Sequence, residues 1–340
     1  MIFLDHRNGR WFFLRQLNLN RVIKFMHLTI VKALNKKGEK MKKILVTILF
    51  FIFSFTAFAA EPLVDTKWLN DNLKNKEVFV LDIRNKIDKG SYETFTQGHI
   101  PGSIYSDYLQ DGWRTKVDGI IGQLPPVKDL EQLIGSLGIG NKNHVIIVYG
   151  GVSSSDFGSA SRVYWTFKTL GHDEVSILNG GYKAWESAGF KIETGDHNPK
   201  LVKFIAHYTD KYYANADDVI KVIENNNIGL VDARPAAFFV GDKKKKQALR
   251  AGRIKNSINL EQQTLVNEDG TFKSVEEIKI LISQAGLNGK DGYISYCYTG
   301  HWASIGWFAL SEIAKEPNVK NYDGSMVDWT FDPNREVIKG

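Results

Sequence analysis

"YISYCYTGHWASIGWFALSEI", residues 293–313, reads as a strand that breaks into a helix. Tyr293, Ile294, Ser295 and Tyr296 are mostly aromatic or β-branched, as in a strand buried within a sheet. After Ser304, the apolar residues Ile305, Phe308, Ala309 and Ile313 recur at helical spacing. The turn between them, "CYTGHWAS", opens with Cys297, the only cysteine of 340 residues. Strand, short loop and helix in that order form the unit of a parallel sheet covered by helices. The stretch therefore sets the fold class and places a thiol at a strand end.

The chain length allows two domains. Residues 41–60, "MKKILVTILFFIFSFTAFAA", have a short basic start, an apolar run from Ile44 to Phe55, and Ala57-Phe58-Ala59 at the end. This is the pattern of a cleaved secretory signal, with an apolar run too short to span a bilayer. An exported, periplasmic protein without a stable membrane anchor is expected; an uncleaved amphipathic anchor is the alternative. Residues 1–40 fit neither a signal nor a domain. Gly38-Glu39 can be encoded by a purine-rich ribosome-binding run, so Met41 is read as the start and 1–40 as an over-extended reading frame. Sequencing of the precursor's N-terminus tests this, and residues found before Met41 would reject it.

Charge follows the same division. Residues 1–60 hold 11 Lys and Arg against 2 Asp and Glu, leaving 33 basic and 36 acidic residues in the remainder. The basic balance belongs to the leader, so no nucleic-acid partner is expected. The run Lys243–Lys246 reads as a solvated loop. A single cysteine forms no internal disulfide, and in an oxidising compartment it is a liability unless used.

The chain also repeats. "FVLDIR", "GHIPGSIYSD", "VKDLEQLIGSLGI", "HVIIVYGG" and "VSILNGGYKAW" in the first half are answered in order by "GLVDARP", "AGRIKNSINLE", "SVEEIKILISQAGL", "GYISYCYTG" and "VKNYDGSMVDW". Short strands alternating with amphipathic helices predict, in each half, a small parallel sheet flanked by helices. The expected division is one domain over 61–194, a linker over 195–212 around "ETGDHNPK", and a second domain over 213–340. Trp185 and Trp329 recur as core anchors. Aligning Tyr149 with Tyr296 sets Gly150 opposite Cys297, so the first half carries a flexible, thiol-free "YGGVSSSDFGSAS" and is read as a structural, pocket-forming partner.

These paired segments, with a strand-end C-x-x-G-x-x-A-S loop, resemble the tandem-domain rhodanese family of sulfurtransferases from about residue 63 to the C-terminus. The resemblance implies an α/β fold of two tandem rhodanese-like domains, one active and one degenerate. It implies sulfur transfer from a small-molecule donor to a thiophilic acceptor, or to a protein acceptor, without metal or organic cofactor. Cys297 is then the nucleophile. Its thiolate attacks the outer sulfur of a donor, a persulfide forms, and a second nucleophile removes that sulfur in a ping-pong cycle. The two positions after the nucleophile resemble Arg-Lys in thiosulfate-using relatives and small residues in mercaptopyruvate-using ones. Tyr298 and Thr299 match neither. Thiosulfate is the expected donor, with 3-mercaptopyruvate as the alternative.

Two features of the loop favour a thiolate. Backbone N–H groups from Tyr298 to Trp302 can form an anion-holding nest, and a helix starting near His301 or Trp302 points its positive end at the sulfur. Gly300 suits a tight curl. His301, the loop's titratable cation, either meets substrate or packs at the helix start. Thr299 either offers its hydroxyl to the donor or closes a local turn. Trp302 is pocket wall or core. Arg234 and Arg250 are candidate anion ligands, with an Asp232 ion pair as the alternative for Arg234. Asp82 and His99 resemble an acid–histidine relay of mercaptopyruvate-type relatives.

A phosphatase of this fold needs an arginine six positions after its cysteine; here position 303 is Ala. A carrier that holds sulfur on Cys297 for a dedicated partner stays open as the rival to a turnover enzyme.

Overall fold

The structure is a computed structural model that describes residues 60–225 and 227–340. The proposed leader and signal segment lie outside the described residues. In the first half, β1 (Leu63–Val64), β2 (Val78–Asp82), β3 (Ile104–Tyr105), β6 (His144–Val148) and β7 (Val175–Leu178) form a parallel sheet in the order β1-β7-β6-β2-β3. In the second, β8 (Tyr213–Ala214), β9 (Ile228–Asp232), β10 (Ser257–Asn259), β11 (Gly292–Tyr296) and β12 (Val319–Tyr322) take the order β8-β12-β11-β9-β10. Strand for strand the two orders are the same, so the sequence repeat is a repeat of topology. A hairpin of β4 (Thr115–Val117) and β5 (Ile120–Gln123) is added to the first half alone.

The sheet register shifts the repeat alignment at its most important position. Asp82 pairs with Val148 and its counterpart Asp232 with Tyr296. The next residues, Tyr149 and Cys297, offer equivalent carbonyls to Tyr182 N at 2.7 Å and Met326 N at 3.1 Å. Cys297 therefore stands opposite Tyr149, and Gly150 opposite Tyr298. Matching tyrosine to tyrosine misses this because the first loop is one residue longer before its helix cap, Ser153 against Gly300. The degenerate position is filled by a phenol: Tyr149 is buried and its hydroxyl donates to Gly270 O in the other half at 2.7 Å.

The supposedly flexible serine stretch is a buried helix. Ser153 caps it, and α4 (Ser154–Thr169) is solvent-shielded from Asp156 to Thr169. Its small residues let it lie against the equivalent helix of the second half, α9 (His301–Trp307), with Ser161 and Ser304 hydroxyls 2.8 Å apart. Around this seam one apolar cluster runs through both halves; Phe157 stacks on Phe272 at 4.6 Å and packs edge-on to Phe308. Continuous aromatic burial of this kind joins the halves more firmly than a polar domain contact does. The linker is pinned along the first half by Val202 N to Gly135 O and His207 N to Leu170 O. Trp185 and Trp329 are buried, and each indole donates to a carbonyl six or seven residues on, Lys191 O and Glu336 O. Among the described residues no helix is long and apolar enough to cross a membrane.

Candidate active site

β11 ends at Tyr296, and the backbone turns at Cys297 to enter α9, which continues as a π-helical stretch, Phe308–Ile313. Gly300 is the helix cap at φ 70°, a left-handed conformation glycine adopts without strain. A Cβ there would stand 2.8 Å from Asp323 Oδ1 and collide with Arg162. Those two form a buried ion pair at 2.6 Å, which braces the loop from beneath.

The loop is organised by a residue that the sequence reading did not single out. Ser325 Oγ accepts the amides of Cys297 at 2.9 Å and Gly300 at 3.2 Å and donates to Tyr322 O at 2.8 Å, so its donor and both lone pairs are used. Its oxygen is 4.0 Å from Cys297 Sγ. Ser325 holds φ 51°, while the equivalent residue of the first half is Gly181 at φ 61°. A serine that keeps a glycine's backbone conformation, at a cost of about 1 kcal/mol or more, marks a constrained site. That substitution was the available signal: "GGYKAW" against "GSMVDW" at matching tryptophans.

Cys297 is 1% exposed. It belongs to none of the three apolar clusters of the described residues. Ser325 is its polar neighbour, and the phenol of Tyr108 and the ammonium of Lys245 are within electrostatic reach of the sulfur. Beside it opens a cavity of about 460 Å³ lined from both halves, by Tyr108, Arg114 and Gly122 of the first and Lys245, Tyr298 and Thr299 of the second. The pocket-forming part expected of the first half is thus played by the segment 108–122.

The cations are not those expected. Arg114 donates to Thr299 O at 2.7 Å and Gly122 O at 3.3 Å. Lys245, out of the lysine run read as wholly solvated, lays its ammonium 4.0 Å from the Trp302 ring centroid. Partial burial holds that ammonium below its ordinary pKa, with Cys297 pulling the other way. Trp302 in turn donates to Ser155 Oγ at 3.1 Å, so the aromatic face that seats Lys245 is fixed by the first half.

Arg250 turns away from the cavity, its two terminal nitrogens bonded to Arg335 O and Asp332 O at 2.7 Å. Arg234 is 1% exposed and paired with Asp232, and it bonds Gly252 O. The thiol-free half builds the same device from Arg84, Asp82 and Gly98 O. Since both halves make it, the pair braces the fold. Burial opposes the Arg234 charge, but Asp232 outweighs it and holds the pKa above the ordinary value. Its guanidinium meets the site only through the Tyr298 ring, 4.9 Å away. The relay is also absent from these contacts: Asp82 is taken by Arg84, and His99 Nδ1 by Phe95 O at 2.9 Å.

His301 is not a cation. Its Nε2 lies 2.8 Å from Ser155 O, which only accepts, and its Nδ1 lies 2.8 Å from Tyr108 Oη. Nε2 carries the proton, and Tyr108 donates to Nδ1. Burial, and then Arg114, push the imidazole down to about 3. Thr299 lines the cavity and gives its carbonyl to Arg114.

In the first half the corresponding amides are already taken by a carboxyl group. Gly151 N and Val152 N donate to Asp156 Oδ2 at 2.7 and 3.1 Å, and Gly150 N reaches Oδ1 at 3.4 Å. The twin loop is closed by its own carboxyl group.

Comparison with known proteins agrees with this architecture. The model of the rhodanese-like domain matches residues 65–188 and 215–332. A protein of Saccharopolyspora erythraea named "Putative thiosulfate sulfurtransferase" is 36% identical over 277 residues, 79% of this chain and 93% of that protein. The sulfur carrier protein TtuD of Thermus thermophilus is 33% identical over 280 residues, again 79% of this chain and 93% of its own. The crystal structure of SseA from Escherichia coli, a 3-mercaptopyruvate sulfurtransferase, superposes with a TM-score of 0.69 at 26% identity, over 78% of this chain and 99% of SseA.

Proposed function

The chain belongs to the rhodanese-like family and is a sulfurtransferase of it, and from that premise we propose that Cys297 carries the sulfur as a persulfide with thiosulfate as donor. The thiolate attacks the sulfane sulfur; the new S–S bond forms as the bond to the sulfonate sulfur breaks, and sulfite leaves with the electron pair. A thiophile such as cyanide then takes the outer sulfur and the thiolate is regenerated.

The observation that carries this reading is the single thiol, beside a cavity edged by three cationic side chains, Arg114, Lys116 and Lys245. Thiosulfate is a dianion, and a cavity with several cations suits it better than the single carboxylate of a keto acid. The sulfur itself is 1% exposed, so donor and acceptor approach through the cavity wall of Tyr298, Thr299 and Lys245. The Lys245 ammonium and the Ser325 hydroxyl stand within electrostatic reach of that sulfur. The neutral His301, locked between Tyr108 and Ser155, serves as a positioning residue.

The test is thiocyanate formation from thiosulfate and cyanide by the purified protein. Turnover that vanishes in Cys297→Ser supports the proposal. Turnover that favours 3-mercaptopyruvate over thiosulfate replaces the donor. Persulfidation of Cys297 without release to cyanide or small thiols supports the second reading, a carrier for a protein acceptor, which the likeness to TtuD favours. The signal-like segment 41–60 supports export to the periplasm; finding the protein only in the cytosolic fraction would overturn that.

A further inference from the structure

His99 and Arg253 are equivalent residues of the two halves, but the folds put them to different use. Each forms an isolated antiparallel bridge with the segment that leaves its domain's last helix, His99 with Glu193 and Arg253 with Ile338. In the second half that pairing brings no metal-ligating pair together. In the first it sets an imidazole beside a carboxylate, and Glu193 lies four residues before His197.

One ligand-type atom from each of His99, Glu193 and His197 falls within 4.8 Å of the other two. His99 is fully buried. Its Nδ1 lies 2.9 Å from Phe95 O, an acceptor, so the proton sits on Nδ1 and Nε2 presents a lone pair. That Nε2 is buried with no hydrogen-bond partner. Leaving such an atom unpaired is costly, so its retention calls for a ligand. The ring is held in place by stacking on Phe95 at 4.1 Å and meets the His197 ring edge-on at 5.4 Å. Glu193 is braced by Gly102 N at 2.8 Å, and its Oε2 is 3.2 Å from His197 Nε2.

We propose that His99, Glu193 and His197 form a binding site for a divalent transition-metal ion, with zinc as the best fit. Two imidazoles and one carboxylate are the donors zinc accepts, whereas magnesium and calcium favour all-oxygen shells. The Phe95 carbonyl and Gly102 amide are the outer contacts that orient such ligands. The side chains of His197 and Glu193 are 34% and 35% exposed, so water has access to a fourth position. Tetrahedral zinc with bonds of about 2.1 Å sets its donors about 3.4 Å apart. The two partly exposed side chains reach this by closing by up to about 1.4 Å around a fixed His99. Metal then staples the start of the linker to the first half, apart from the sulfur chemistry.

Cys297 is the competing zinc ligand, so the full chain carrying Cys297→Ser is titrated with Zn²⁺ against a chromophoric chelator. One equivalent bound at micromolar affinity or tighter is expected, weakened about 10- to 100-fold by His197→Gln and by Glu193→Gln. Both substitutions are on partly exposed side chains, and thermal melts of the metal-free variants verify folding. Equal affinity in the double variant, or no binding at about 100 µM free zinc, overturns the site.

Discussion

The hydroxyl oxygen of Ser325 accepts the amide hydrogen of Cys297 at 2.9 Å, from a residue held at φ 51°. The backbone conformation and the hydroxyl are separable by substitution. Ser325→Gly suits the backbone, as Gly181 does in the other half, but removes the acceptor for Cys297 and Gly300. Loss of that acceptor costs about 1–3 kcal/mol and relief of strain returns about 1. Sulfur transfer is therefore expected to fall at least about tenfold with a melting temperature within a few degrees of wild type, while Ser325→Ala loses both. Wild-type kcat/KM in Ser325→Gly would remove Ser325 from the site's organisation.

Lys243 and Lys245 belong to the same exposed run, but Lys245 stands over the Trp302 ring at the cavity edge. Replacing Lys245 with Gln is expected to raise the KM for thiosulfate about tenfold, and Lys243→Gln less than twofold. Steady-state kinetics at two ionic strengths measure this. Equal responses from the two lysines would return the whole run to solvent.

His301 gives a prediction in acid. Burial first and Arg114 second hold it at about 3, against about 6.5 in an unfolded chain. Between these values the unfolded state binds a proton that the folded state refuses, so stability falls as pH drops from about 6.5 to about 3. Urea unfolding at pH 7 and 4.5 is expected to show a smaller difference for His301→Gln than for wild type, by about 1–3 kcal/mol. The rate profile between pH 5 and 9 should keep its shape in that variant. A wild-type inflection near 6.5 that His301→Gln removes would contradict the neutral assignment.

Asp156 gives the opposite sign. Burial, then the neighbouring Asp88, push its carboxyl up to about 8, against about 4 when unfolded. The folded state keeps a proton the unfolded state has released, so stability is lost as pH rises from about 4 to about 8. Asp156→Asn keeps an oxygen for the Gly151 and Val152 amides and removes the titration. Its stability should change less between pH 5 and 8 than the wild type's, by at least about 1 kcal/mol; parallel curves would rule the retained proton out.

The sequence alone determined the doubled α/β sheet, the thiol at the end of β11, the twin without one, and the glycine that turns the loop. These are written in local periodicity and in motifs that recur in order, which neighbours along the chain enforce. Only the tertiary structure decided which residue stands opposite Cys297, because a strand ladder counts hydrogen bonds whereas an alignment counts matching letters. It also decided that Arg114 and Lys245 face the cavity while Arg250 and Arg234 are spent elsewhere, and that His301 is neutral. The charge and direction of these side chains depend on partners such as Ser155, Tyr108, Trp302 and Asp332, which folding supplies. For Arg114 and His301 those partners lie on the other half, more than a hundred residues away. No spacing rule reaches that far.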